Sequence, residues 1–205
     1  MMIAVVDYGL GNLFSLGCSL DKIGADHIVT SDPAEIMAAD KLILPGVGAF
    51  RDAIHLLEQT SLKQLVIDRA RAGVPLMGIC LGMQLLFERS FEYGEYEGLG
   101  LIKGDVVPLS GLPETESLKI PQIGWNALDI RRQGRLTRNI KQGDFVYYVH
   151  SYYANNIGDA LVASSEYGVD VPGIVEHGSV CGTQFHPEKS GDVGLSILSA
   201  FCMEA

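Results

Sequence analysis

No run of apolar residues in this chain approaches the roughly 20 that a membrane-spanning helix requires. Basic residues are scarce: 15 Lys and Arg stand against 25 Asp and Glu, for a formal net charge of −10, and no basic cluster occurs. That argues against a nucleic-acid surface, which needs grouped Lys and Arg to meet phosphates, and against attraction to an acidic membrane. The four cysteines, Cys18, Cys80, Cys181 and Cys202, include no C-x-x-C pair, so a zinc knuckle or dithiol redox centre is not expected. No other metal-ligand spacing occurs. Gly9-Leu10-Gly11-Asn12 falls short of a dinucleotide fingerprint because Phe14 stands where the third glycine belongs, and a Walker loop is absent. The expectation is therefore a reduced, cytoplasmic protein with no metal and no cofactor. Met1–Asp7 is apolar but has no basic leader and no small-residue cleavage site, and is expected to be a first strand and not a signal peptide.

The composition is 47% hydrophobic and 20% charged over 205 residues, enough to bury a sizeable core. No linker, repeat or low-complexity tract divides the chain, so residues 1–205 are expected to form a single domain. In the first half, strand-like runs (3–7, 27–30, 41–44 and 74–79) alternate with amphipathic stretches at about 12–23 and 50–71, the latter broken near Thr60-Ser61. Such alternation predicts parallel strands joined by helical crossovers. The second half carries short β-rich runs at 128–130, 145–149, 161–165, 173–176 and 180–185, separated by Gly and Pro. A closing helix is predicted at 191–203. The expected architecture is α/β: a central mixed, mostly parallel sheet with added antiparallel strands.

The segment Gly78-Ile79-Cys80-Leu81-Gly82 carries the strongest chemical signal. A buried strand enters it and a helix leaves it, the form of a nucleophile elbow. Small residues on either side permit the sharp turn. The turn presents Cys80 at the carboxyl end of a strand, beside a helix amino terminus whose unpaired N–H groups favour a thiolate. The Leu81 N–H is placed to stabilise an oxyanion. The alternative is a small buried hydrophobe in a strand–helix turn, which is what free cysteines usually are. Cys18, Cys181 and Cys202 lie within apolar elements and keep that alternative.

A cysteine nucleophile needs a base held by a third group. Among five histidines, His186 stands out in Gln184-Phe185-His186-Pro187-Glu188. Pro187 favours an extended His186. Residues i and i+2 of an extended chain face the same way, so Glu188 can bond one ring nitrogen and leave the other for Cys80. The alternative is a solvated His and Glu beside a turn. A second loop, Pro45-Gly46-Val47-Gly48, follows the third strand and can add backbone donors to an oxyanion hole, or be an ordinary turn.

These segments resemble the class I, or triad, glutamine amidotransferases. More narrowly, Asp7–Leu13, Pro45–Phe50, Pro121–Asn126 and Tyr147–Tyr153 resemble the glutaminase subunits of imidazole glycerol phosphate synthases, from histidine biosynthesis. The resemblance covers essentially the whole chain and implies a flavodoxin-like three-layer sandwich. It implies that Cys80, His186 and Glu188 are catalytic, that Leu81 with Val47 or Gly48 forms the oxyanion hole, and that Gln84, Ser151 and Tyr152 hold glutamine. It implies a heterodimer with a (β/α)8 cyclase subunit, with Asn12, Trp125, Asn126, Tyr147 and Lys189 at the interface. The chain departs from the usual pattern at Gln122, where the family often has His, and mildly at Gly191-Asp192. Competing readings are a paralogous glutaminase serving another synthase, such as surface-sugar amidination or pyridoxal phosphate synthesis, a cysteine peptidase on a similar sheet, and a non-catalytic module.

Overall fold

A computed structural model describes residues 1–203. The first half follows the predicted alternation. Strand β1 (Ile3–Val6) leads to α1 (Leu13–Lys22), β2 (His27–Thr30), α2 (Pro33–Ala38), β3 (Lys41–Gly46), α3 (Phe50–Gln59), α4 (Leu62–Arg71), β4 (Leu76–Cys80) and the short α5 (Leu81–Leu85). The break at Thr60-Ser61 is real: Ser61 is left-handed with φ 60° and separates α3 from α4. Helix α2 escaped the sequence reading, although Asp32-Pro33 is a start signal; the Asp32 carboxylate accepts from the Ala34 N–H at 2.8 Å.

The second half adds β5 (Arg89–Ser90), β6 (Tyr96–Glu97), β7 (Asp105–Pro108), β8 (Gln122–Ala127), β9 (Asp129–Ile130), β10 (Phe145–His150), β11 (Tyr152–Asn155), β12 (Leu161–Tyr167), β13 (Val169–His177) and β14 (Val180–Thr183), then α6 (Gly191–Met203). The main sheet has the order β2-β1-β3-β4-β14-β13-β12-β9. Its first five strands are parallel and the last three antiparallel. The parallel part has flavodoxin-like order, as expected. A ribbon, β8 with β10, and a four-stranded sheet, β11-β7-β5-β6, flank it.

Strand side chains alternate between two apolar layers. Ala4, Val6, Leu42 and Leu44 pack with Phe50, Leu57 and Val66 on one face. Ile3, Val5, Ile43 and Met77 pack with Leu16, Leu20, Ile197 and Phe201 on the other. This period-two division over fully buried strands is what a helix–sheet–helix sandwich requires. Cys181 and Cys202 lie in the second layer, whereas Cys18 is exposed on the outer side of α1, not packed as its apolar neighbours suggested. Among the described residues no helix is long and apolar enough to cross a membrane.

One close approach sets the geometry of the sheet's carboxyl edge. A side-chain carbon at Gly82 would lie 1.8 Å from the Leu44 carbonyl oxygen, and one at Gly78 would lie 2.6 Å from the Gly82 oxygen. Strand β3 runs through Pro45 to Gly46, two residues past its predicted end, because Pro45 and Gly46 pair with Ile79 and Cys80. Replacing Gly82 with Ala forces β3 and α5 apart. We expect a loss of about 3 kcal/mol or more in urea unfolding; a midpoint equal to that of the parent chain would contradict the contact.

Candidate active site

Cys80 ends β4 and begins α5 with φ 55° and ψ −110°, a conformation L-residues rarely adopt. The flanking glycines leave the chain room to make this turn, and the strain of it, of order 1–3 kcal/mol, is held by the surrounding backbone contacts. The side chain is 7% exposed. It therefore projects from the strand end into the mouth of a cavity of about 350 Å³, which it lines together with His186.

His186 follows β14, the neighbour of β4. Its Nδ1 lies 2.8 Å from Glu188 Oε1, with the two side chains only 3% and 2% exposed. Its ring shares the cavity wall with Cys80, near enough for the sulfur to perturb its titration. Burial alone would favour the neutral ring. The bonds and charges of Cys80 and Glu188 outweigh that cost and raise its pKa to about 10. The expected contact between His186 and Glu188 is present, but an extended chain does not make it. His186 itself is extended, with φ −95° and ψ 102°, and Pro187–Lys189 then forms a 3₁₀ turn. Pro187 suits the first position of such a turn, where no N–H is needed. Ser190 locks it: its hydroxyl donates to the His186 carbonyl at 2.6 Å and accepts from the Tyr147 N–H at 3.0 Å.

The same cavity is lined by Val47, Gly48 and Leu81, the expected oxyanion-hole residues, and by Gln84, Ser151 and Tyr152, the expected glutamine holders. Gly48 is left-handed, with φ 98°. The loop that carries it starts from a fixed point, since the buried Tyr8 hydroxyl donates to the Pro45 carbonyl at 2.9 Å. Of the residues expected at a partner interface, Lys189 reaches the cavity. Asn12 lies beside a small adjoining void with His186 and Glu188. Trp125 is 52% exposed and stacks edge-on against Tyr147 at 5.9 Å, so it is not a core tryptophan. Asn126 accepts from Gln122 Nε2 at 3.0 Å, which anchors the residue that departs from the usual His.

Three residues were not singled out from the sequence. Glu92 lines the cavity and accepts from the Phe50 N–H at 2.6 Å. Burial raises its pKa above the ordinary carboxyl range, the Phe50 N–H draws it back, and Asp52 raises it again. It lies in a loop with no periodic signal. His150 also lines the cavity, with its pKa pushed down to about 4 by burial, against the Tyr152 carbonyl and aided by His186. Gln184 is fully buried beside Cys80; its place two residues before His186 was the available signal.

The ring of His186 has a clear pH signature. Its pKa of about 10 lies above the roughly 6.5 of an unfolded histidine. Its contribution to stability is thus complete below pH ~6.5 and is lost as pH rises through 10. Histidine NMR of the folded chain is expected to show His186 protonated at pH 8, and Glu188→Gln is expected to release that proton at lower pH. A parent ring that titrates near its ordinary value would contradict the pairing.

The sequence profile of the class-I glutamine amidotransferases matches residues 4–205. A protein of Bacillus licheniformis called imidazole glycerol phosphate synthase subunit HisH is 52% identical over 202 residues, covering 98% of this chain and 95% of that protein. Its namesake in Oceanobacillus iheyensis is 46% identical over 201 residues, covering 98% of each. Among solved structures, a GMP synthase component of Thermoplasma acidophilum superposes with TM-score 0.74 at 22% identity, covering 99% of this chain and 92% of that one. The glutaminase domain of a Trypanosoma brucei CTPS superposes with TM-score 0.67 at 16% identity, covering 100% and 95%. At such identities the structures speak for the fold alone.

Proposed function

The chain belongs to the class I glutamine amidotransferases, and from that membership we propose that it is the glutaminase subunit of an imidazole glycerol phosphate synthase. It hydrolyses glutamine and passes the ammonia to a (β/α)8 cyclase subunit, with which it forms a heterodimer. The cyclase combines that ammonia with a phosphorylated ribulosyl carboxamide nucleotide, giving imidazole glycerol phosphate and an aminoimidazole carboxamide ribonucleotide. The relatives at 46–52% identity, matched along nearly their whole length, support this reading over a paralogue serving another synthase. Residues 1–205 act as a single glutamine amidotransferase domain, and the compartment is the cytoplasm.

The observation that carries the site assignment is the ring of His186, bonded to Glu188 and lining one cavity with Cys80, whose sulfur helps to raise the ring's pKa. In this reading the Cys80 thiolate attacks the side-chain amide carbon of glutamine. His186 gives its proton to the departing nitrogen, which leaves as ammonia, and a glutamyl thioester remains. His186 then takes a proton from water, whose oxygen attacks the thioester. Glutamate leaves and the thiolate returns. Glu188 holds the ring in one orientation throughout. Leu81 with Val47 or Gly48 supplies N–H groups to the tetrahedral oxygen, and Gly46–Gly48 is the segment able to switch that supply on when the cyclase is loaded.

The substrate's own charges assign the rest of the wall. Both N–H groups of Gln84 are committed, to the Tyr152 carbonyl and to Gln184, so it offers glutamine its oxygen. The Glu92 carboxylate attracts the α-ammonium group. Ser151 and Tyr152 contact the remaining backbone end. Ammonia must stay unprotonated to remain a nucleophile, so a dry route to the partner is required. The exposed face formed by Ile123, Trp125 and Phe145, with the Tyr147 ring against Trp125, offers an apolar surface for docking, and Asn12, Asn126 and Lys189 are the further residues proposed to meet the partner.

With the cyclase present, Cys80→Ala is expected to abolish glutamine-dependent synthesis and to leave synthesis from added ammonium salts intact. Loss of both activities would make Cys80 structural. Glu188→Gln is expected to keep the fold and to lower glutamine turnover by a factor on the order of 10² or more; full turnover would remove Glu188 from the chemistry.

A further inference from the structure

Gln184 is fully buried two residues before His186, and its amide nitrogen lies 3.9 Å from Cys80 Sγ, within reach of a donor to sulfur. The direction of this amide follows from its neighbours. The Tyr152 carbonyl can only accept, so Gln84 must turn its NH₂ group toward it, at 2.9 Å. The second proton of that NH₂ group points to Gln184 Oε1 at 3.0 Å. Gln184 therefore presents oxygen to Gln84 and N–H to sulfur. Turning it over would set nitrogen against nitrogen and leave the sulfur facing an oxygen. A chain of donors thus runs from Gln84 through Gln184 to the nucleophile, with its orientation set by one backbone carbonyl.

A thiolate is a far better acceptor than a thiol, so the contact suits a sulfur that attacks in its charged form. We propose that Gln184 is a positioning residue for the nucleophile: its amide N–H holds and aims the Cys80 thiolate. The proposal rests on the reading of Cys80 as the nucleophile. It also gives Gln84 a second task, since the residue that meets the substrate fixes the amide that meets the sulfur.

The test uses iodoacetamide on the full chain, with alkylation of the Cys80 peptide followed by mass spectrometry across pH. Gln184→Met keeps the length and removes the donor. Its half-maximal alkylation is expected about one pH unit higher than in the parent chain. With the cyclase present, kcat for glutamine is expected to fall about tenfold at pH 7 and to recover as pH rises, with KM within about twofold. Gln84→Met leaves Gln184 in place but frees its amide to turn, and is expected to shift the alkylation profile in the same direction; it decides the matter if Met at position 184 unfolds the chain. Folded variants that alkylate with the parent's pH profile, or a kcat reduced equally at every pH, would overturn the proposal. A parent chain whose Cys80 resists alkylation would instead sink the reading of Cys80 itself.

Discussion

The close passage of the Gly82 backbone beneath the Leu44 carbonyl is the constraint on which the rest depends. It leaves no room for a side-chain carbon, and it ties the start of α5 to the end of β3. Cys80 is then held in its left-handed turn with Gly46 directly opposite in the sheet. Parallel pairing of β4 with β14 brings the chain that carries His186 to the same edge. Three strand ends meet there, and each contributes one part of the proposed chemistry: a loop of backbone donors, a sulfur, and an imidazole with its carboxylate.

Around this edge the protein spends little on solvent-exposed polar contacts and much on buried, directed ones. Glu188, His186, Cys80, Gln184 and Gln84 form a connected set in which each member limits the next. Such networks gain strength in a low-dielectric interior and lose it sharply when one member is missing. The Ser190 hydroxyl joins the set to the β8–β10 ribbon through Tyr147, whose ring packs against the exposed Trp125. A physical route therefore runs from the proposed docking face to the histidine.

Much of this was legible in the sequence. Alternating apolar runs and helical stretches gave the parallel half of the sheet, since period and length are local properties of the chain. The elbow was legible because only small residues fit beside so sharp a turn, and His186 with Glu188 because Pro187 restricts what lies between them. What the sequence hid were arrangements made by distant partners. The contact of His186 with Glu188 comes through a 3₁₀ turn that Ser190 stabilises, not through an extended strand. Strand β8 was missed because its side chains alternate about a ribbon lying off the main sheet. Glu92 becomes recognisable only when the fold gathers it at the cavity, and Gln184 had no more than its place two residues before His186 to mark it until the fold set it against the sulfur.

The central claim is that Cys80 is a nucleophile activated by His186 inside a cavity shaped for glutamine. A chloroketone analogue of glutamine tests it directly, because it must first fill the cavity and then react with an activated sulfur. Peptide mass spectrometry is expected to find one adduct, on Cys80, that is suppressed by excess glutamine and lost in His186→Ala. Labelling confined to Cys18, or labelling of Cys80 that ignores both glutamine and His186, would contradict the account.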